Sequence, residues 1–281
     1  MRVLIAGCGD LGTEAGLRFA AAGHRVLGLR RSPGKLPDVI EALAGDLSAP
    51  LPDLPGDVEV LVYAAAADGR TEDAYRRAYV HGPHHVLDAL DRAGAQVRRV
   101  LMVSSTGVYG VVDGSEVDED TPTEPNSASG AVLVEAERAL LDRRPDATVF
   151  RLAGVYGPGR TRLIDQVRDG TAVIPDPPVH TNRIHRDDAA QAILELTTGA
   201  APAPRVLVGV DHDPAERGQV LRFLADELGL PHPPTGPDRR ARGGDKRCRN
   251  DRLVATGFRF TYPTFREGYR AVLAGHGVRH P

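Results

Sequence analysis

Six short apolar runs mark the first half of the chain, at residues 3–6, 25–29, 40–44, 58–64, 97–103 and 147–152. Runs this short and this continuous suit strands buried on both faces. Between them the pattern turns helical. Residues 11–21 space Leu11, Ala15, Leu17 and Ala21 along a helix that Gly23 ends, and residues 71–93 and 132–143 carry similar patterns. Alternation of buried strand and helix predicts an α/β fold, doubly wound about a parallel sheet. After residue 154 the pattern loosens, with Pro158, Pro175, Pro177 and Pro178 interrupting it. A further apolar run at 205–210, a helix over 215–228 and a helical stretch over 264–274 follow. Proline and arginine crowd residues 231–249, which predicts an irregular segment there. No internal repeat is present.

The first apolar run leads directly into glycines. Residues 3–12 read V-L-I-A-G-C-G-D-L-G, which places Gly7, Gly9 and Gly12 in a G-x-G-x-x-G pattern. The first glycine permits the tight strand-to-helix turn, the second lets main chain approach a diphosphate, and the third allows the helix to pack on the strand. The helix starting near Leu11, with Asp10 just before it, points its N–H groups and positive dipole end at the anion. Strand, glycine turn, helix and second strand make a complete βαβ unit, so the loop predicts dinucleotide binding rather than a glycine-rich hairpin. The strand order that goes with such a loop is 3-2-1-4-5-6, the Rossmann arrangement.

Composition narrows the remaining classes. Thirty-five basic against 38 acidic side chains give a formal charge of −3, which supplies no footprint for nucleic acid or a membrane surface. A small anionic ligand stays open. No apolar run approaches the roughly 20 residues of a membrane span, and the first breaks too early for a signal peptide, so the sequence points to a cytoplasmic protein. Cys8 and Cys248 stand far apart with no zinc spacing, and no metal site is expected. His81, His84 and His85 share a helix face, but Pro83 interrupts them and no carboxylate partner is evident, so a packed or solvated face is expected. Cys8 is read as a small residue that fits the loop rather than a reactive thiol.

The second strand ends Leu29-Arg30-Arg31-Ser32. A carboxylate at this place accepts from the adenosine 2′-hydroxyl of NAD, whereas arginine favours the 2′-phosphate of NADP. Arg30, Arg31 and Ser32 therefore point to NADP, with NAD as the alternative and two solvated surface arginines as the bland reading. Asp46 and Leu47 follow the third strand, where a carboxylate can bond the adenine amino group. Ala64, Ala65 and Ala66 end the fourth and leave room for the coenzyme.

Residues 103–110, V-S-S-T-G-V-Y-G, resemble the extended short-chain dehydrogenases/reductases, the family of NAD-dependent epimerases and dehydratases. Residues 118–122 (D-E-D-T-P), 151–158 (R-L-A-G-V-Y-G-P), 182–188 (N-R-I-H-R-D-D), 246–250 (K-R-C-R-N), Gly257-Phe258 and Tyr262-Pro263 agree with that family in the same order. The resemblance implies a Rossmann domain from residues 1–154 and about 183–210. It implies a smaller, discontinuous substrate lobe from about 155–182 and 211–281, and dimerisation through two helices per subunit. Tyr156, His185, Arg247 and Asn250 become its candidate substrate contacts, with a structural role as the favoured alternative for His185.

The family's chemistry uses a serine with a Y-x-x-x-K pair, in which the lysine lowers the tyrosine pKa. Ser105 matches the serine. The helix that should carry the pair has Ser129 and Leu133 instead, and no lysine lies between Lys35 and Lys246. Tyr79 stands where many relatives have asparagine. The pattern resembles an atypical branch that keeps fold and coenzyme loop but alters the active site. Tyr109 is the substitute acid to test, with a pocket-lining role as its alternative. The basic cluster Arg239, Arg240, Arg242, Lys246, Arg247, Arg249 and Arg252 could clamp an anionic substrate or form a solvated loop, and the acidic residues 113–124 read as solvated surface. Two functions follow: an NADP-dependent oxidoreductase or epimerase/dehydratase-like enzyme acting on a hydroxyl, carbonyl or sugar-nucleotide-like small molecule through a non-standard site, or a non-catalytic NAD(P)-binding sensor or regulator.

Overall fold

A computed structural model of the chain describes residues 1–237 and 244–281. Seven parallel strands form its main sheet: β1 (Arg2–Ala6), β2 (Arg25–Arg30), β3 (Glu41–Ala44), β4 (Val60–Tyr63), β5 (Arg99–Ser105), β6 (Thr148–Leu152) and β7 (Val206–Gly209). Their order is β7-β6-β5-β4-β1-β2-β3. This is the Rossmann order with the 205–210 run added as a seventh, outer strand. Register follows the side-chain alternation of β1, where Val3 pairs with Val26 on one side and with Val60 on the other. Val3 and Ile5 face one layer, with Phe19 and Ile193, while Leu4 and Ala6 face the opposite layer, with Val86, Leu90 and Leu140. A period of two thus buries successive residues in two separate cores, which is why the run is apolar throughout.

Helix α1 (Asp10–Ala21) packs on β2 and on the helix Arg186–Thr198. Across the sheet, Glu72–Tyr75, a wider π turn at Arg76–His81 and Gly82–Arg92 run on as one helical path. Pro83, just after the π turn, has no N–H to give the Tyr79 carbonyl, and the Tyr63 hydroxyl donates to the carbonyl of Ala78 within the turn. A Cβ at Gly82 would lie 2.0 Å from that hydroxyl, so only glycine lets the helix pass.

A third apolar cluster, including Tyr156, Ile164, Val220, Leu224, Phe265 and Tyr269, lies apart from both sheet cores. Short parallel pairs stitch this region: Gly154–Tyr156 with Arg183–His185, and Ile174–Pro175 with Thr235–Gly236. Within the stretch assigned to the smaller lobe, Leu253 and Phe258 pack instead into the α1 side of the main core. Asp238, Arg239, Arg240 and Arg242 lie outside the described residues.

The acidic segment 113–124 is not wholly solvated, contrary to expectation. Glu119 has a side chain only 4% exposed, its Oε1 accepts from the Val208 N–H at 2.8 Å, and Arg252 lies beside it. An edge strand has an open N–H to satisfy, and this carboxylate satisfies one.

Candidate functional site

The first cavity, about 510 Å³, opens at the C-terminal ends of β1, β2, β4 and β5. Its floor is the glycine loop. Gly7 has φ +86°, and a Cβ there would fall 2.3 Å from the Ala65 nitrogen. A Cβ on Gly12 would lie 2.8 Å from the Gly7 carbonyl oxygen, so the third glycine seats α1 against the turn. Gly9 differs, because a Cβ there would meet nothing within 4 Å. Its missing side chain leaves the cradle open where a diphosphate approaches main chain, beside the N-terminus of α1. Asp10, Leu11, Arg30, Arg31, Ser32, Asp46, Leu47, Ala64, Ala65 and Ala66 all line the cavity with these glycines. These residues fit a dinucleotide.

Charge in this cavity is already partnered. Arg31 makes a bidentate pair with Asp68 at 2.5 and 2.8 Å, and Arg30 Nη1 donates to the Pro281 carbonyl oxygen at 2.8 Å. Asp46 Oδ1 accepts from the Ser48 N–H and hydroxyl, bonds that hold its carboxyl below the usual range. Burial works against ionisation of Asp10, but bonds from Arg160 and the His280 N–H outweigh it and keep its pKa below the ordinary value. Cys8 is buried, which raises its thiol pKa to about 11 and makes it unreactive.

A second cavity of about 420 Å³ adjoins the first, and both are lined by Ser105, Ala153, Val155 and Arg160. Its other walls include Tyr156, Arg162, Arg183, Arg217, His180 and Lys246, with no carboxylate among the described lining residues. Arg183 is 4% exposed, and its Nη1 has no hydrogen-bond partner among the described residues. Lys246 is buried, donates to the Tyr109 carbonyl oxygen at 2.8 Å, and has its pKa lowered by burial. Five basic side chains, Arg160, Arg162, Arg183, Arg217 and Lys246, line this cavity, with Arg160 paired to Asp10.

Ser105 stands where the cavities meet, at the end of β5. Its Oγ accepts from the Gly107 N–H at 3.1 Å, which fixes the side chain and leaves the O–H available to donate. Tyr109, the candidate substitute acid, lines neither cavity. It is 1% exposed, its hydroxyl accepts from Arg151 Nη1 at 2.7 Å, and burial pushes its pKa to about 12. Arg151 in turn pairs with Glu137 at 2.6 Å, and Glu137 accepts from Ser104. These contacts tie the ring into a buried structural network.

Three candidate substrate contacts lie away from the second cavity. His185 is 1% exposed, with Nδ1 accepting from the Asp187 N–H, and burial lowers its pKa to about 4. Arg247 donates to the Gly114 carbonyl on the outside, and Asn250 donates to the Val210 carbonyl in the interior. Neither they nor His185 line the second cavity, whereas Tyr156 does. Leu133 is buried with Val108, Tyr109, Val134 and Cys248, filling with hydrocarbon the place where a lysine was expected. Tyr79, carried by the π turn, lines the first cavity, and burial raises its pKa to about 12. His84 contacts Arg143 and His85 contacts the Leu47 carbonyl, while His81 is exposed.

Residues 3–206 match the model of the NAD dependent epimerase/dehydratase family. A dTDP-4-dehydrorhamnose reductase of Mycolicibacterium smegmatis is 27% identical, over 86% of this chain and 74% of that protein. A Methylobacillus flagellatus structure assigned to the NAD-dependent epimerases/dehydratases is 37% identical, covers 98% of both chains and superposes with a TM-score of 0.82. MoeE5, solved in complex with UDP-glucuronic acid and NAD, is 26% identical over 96% of this chain and 97% of its own, with a TM-score of 0.77.

Proposed function

The chain belongs to the NAD dependent epimerase/dehydratase family, and on that premise we propose that it is an NADP-preferring enzyme whose substrate is an anionic, sugar-nucleotide-like hydroxyl or carbonyl compound. The extended short-chain dehydrogenase/reductase type to which it belongs consists of nicotinamide-dependent enzymes. The observation that carries the substrate class is the second cavity, which offers five cations and no carboxylate among its described lining and meets the coenzyme cavity at Ser105. A buried guanidinium N–H without a partner costs stability, and an anionic oxygen at Arg183 would remove that cost. The UDP-glucuronic acid bound by MoeE5 supports the same class.

A bound nicotinamide coenzyme supplies hydride transfer, and the protein orients the partners. Gly7, Gly9 and Gly12 with the start of α1 would hold the diphosphate, Arg30, Arg31 and Ser32 the 2′-phosphate, and Ala64, Ala65 and Ala66 leave space for the adjoining ribose. We assign the substrate end to the lobe from about 155–182 and 211–281, whose Arg217 holds the anion together with Arg183 from the adjoining start of the 183–210 stretch. Ser105 donates its O–H to the reacting oxygen, polarising a carbonyl or orienting a hydroxyl. Its acceptor bond from Gly107 fixes the direction of that donation. With Tyr109 turned into the core and Leu133 in place of lysine, water in the cavity relays the proton.

A coenzyme redox assay over a panel of carbonyl compounds and sugar nucleotides tests this reading. Turnover is expected for anionic members, and Ser105→Ala is expected to lower it by about 100-fold, the usual scale for one lost donor. Tight coenzyme binding without turnover of any member, together with a coenzyme-dependent change in partner binding, would favour a sensor.

A further inference from the structure

Segment 278–281 crosses the rim of the coenzyme cavity, from the turn at 157–160 to the end of β2. Arg279 donates to the Gly159 carbonyl at 3.0 Å, and Arg186 donates to that of Val278 at 2.8 Å. Over the N-terminus of α1, the His280 N–H donates to Asp10 at 3.1 Å and its ring Nε2 lies 2.9 Å from Glu14. The segment ends with the Pro281 carbonyl oxygen on Arg30, 2.8 Å away. Asp10 and Arg30 are themselves lining residues of the coenzyme cavity.

We propose that segment 278–281 determines coenzyme selectivity, its Pro281 carbonyl competing with the 2′-phosphate of NADP for Arg30. The inference rests on the reading above that Arg30 receives that phosphate. The 2′-hydroxyl of NAD carries no charge and leaves the Arg30 contact in place. A phosphate makes the stronger bond to guanidinium, so NADP takes Arg30 and releases Pro281. The binding energy of NADP is then reduced by the contact it displaces, whereas that of NAD is not. Arg186 anchors the segment upstream at Val278, which confines the release to residues 279–281 and frees the His280 N–H from Asp10.

Titration of both coenzymes against the full chain, a chain ended after Gly277, Arg30→Ala and the combined variant tests the inference. The shortened chain is expected to bind NADP about fivefold more tightly, as loss of one competing hydrogen bond implies, with NAD changed less than twofold. In the Arg30→Ala background the shortening should no longer alter the NADP:NAD ratio. Hydrogen exchange on the full chain gives a readout that does not depend on a truncated protein folding: saturating NADP should speed exchange in segment 278–281, and NAD should not. If shortening weakens both coenzymes equally or changes neither, or if exchange is the same with both, the inference is overturned. Should Arg30→Ala leave NADP affinity unchanged, the NADP reading itself falls, and the selectivity inference with it.

Discussion

Single side chains in this protein divide sharply by burial. Glu137 and Arg151 form a pair whose side chains are 4% and 7% exposed, with Ser104 and Tyr109 supplying further bonds. Glu137→Ala strands a buried guanidinium, so we expect a loss of about 3–5 kcal/mol in chemical denaturation. Removing Asp73 from its exposed pair with Arg77 should cost no more than about 1 kcal/mol in the same measurement. Two buried groups give opposite pH dependence. Burial lowers His185 to about 4, so on acidification below its ordinary value near 6.5 the unfolded chain takes up a proton that the folded one refuses, and stability falls. Burial raises Asp211 to about 7, so the folded state keeps a proton that the unfolded chain releases, and stability falls as pH rises from about 4 to 7. Unfolding midpoints at about pH 7 and about pH 5 should therefore show Asp211→Asn losing more stability than wild type on acidification. His185→Gln should move the opposite way.

At the scale of elements, the helix Ala128–Arg143 explains why the usual catalytic pair cannot simply be restored. Leu133 is 4% exposed in an apolar cluster, and Val108, Tyr109 and Cys248 belong to the same cluster. Leu133→Lys would bury an ammonium among them and should lower the melting midpoint by about 5 °C or more, while Ser129→Tyr, at a half-buried position, should be tolerated. The double variant is thus expected to fail as a reductase because it is unstable; a thermal melt run beside the activity assay separates the two effects. The same scale shows what was legible in the sequence. Alternation along β1 and the glycines after it give sheet, loop and helix directly, because local patterning controls all three. Tyr79 could not be placed in this way, since it reaches the cavity from a π turn packed against the Tyr63 hydroxyl of β4, a contact that local patterning does not carry. Nor could Tyr109 be seen to turn inward, because its partner Arg151 lies 42 residues away.

For the whole molecule, the site is the junction of two chambers. The first belongs to a contiguous loop and to strand ends, so motif and spacing reveal it. The second is assembled from Arg160, Arg162, Arg183, Arg217 and Lys246, which share no local motif and converge only when Gly154–Tyr156 pairs with Arg183–His185 and the helix Arg217–Leu228 packs beside them. Two signals lay in the sequence, Lys246 in the basic cluster and the arginine of the N-R-I-H-R-D-D stretch, where the neighbouring histidine drew attention instead. No helix among the described residues is long and apolar enough to cross a membrane.

On the function proposed above, this cationic chamber delivers an anionic substrate to Ser105 beside the coenzyme. That delivery is tested most directly by kcat/KM at saturating coenzyme for a sugar nucleotide and for the same sugar without its diphosphate, in wild type and in Arg183→Gln. Wild type is expected to prefer the charged compound by about 100-fold, and Arg183→Gln to lose about tenfold or more of that preference, chiefly through KM. Equal use of the charged and uncharged compounds by wild type, or a preference untouched by Arg183→Gln, would contradict the account.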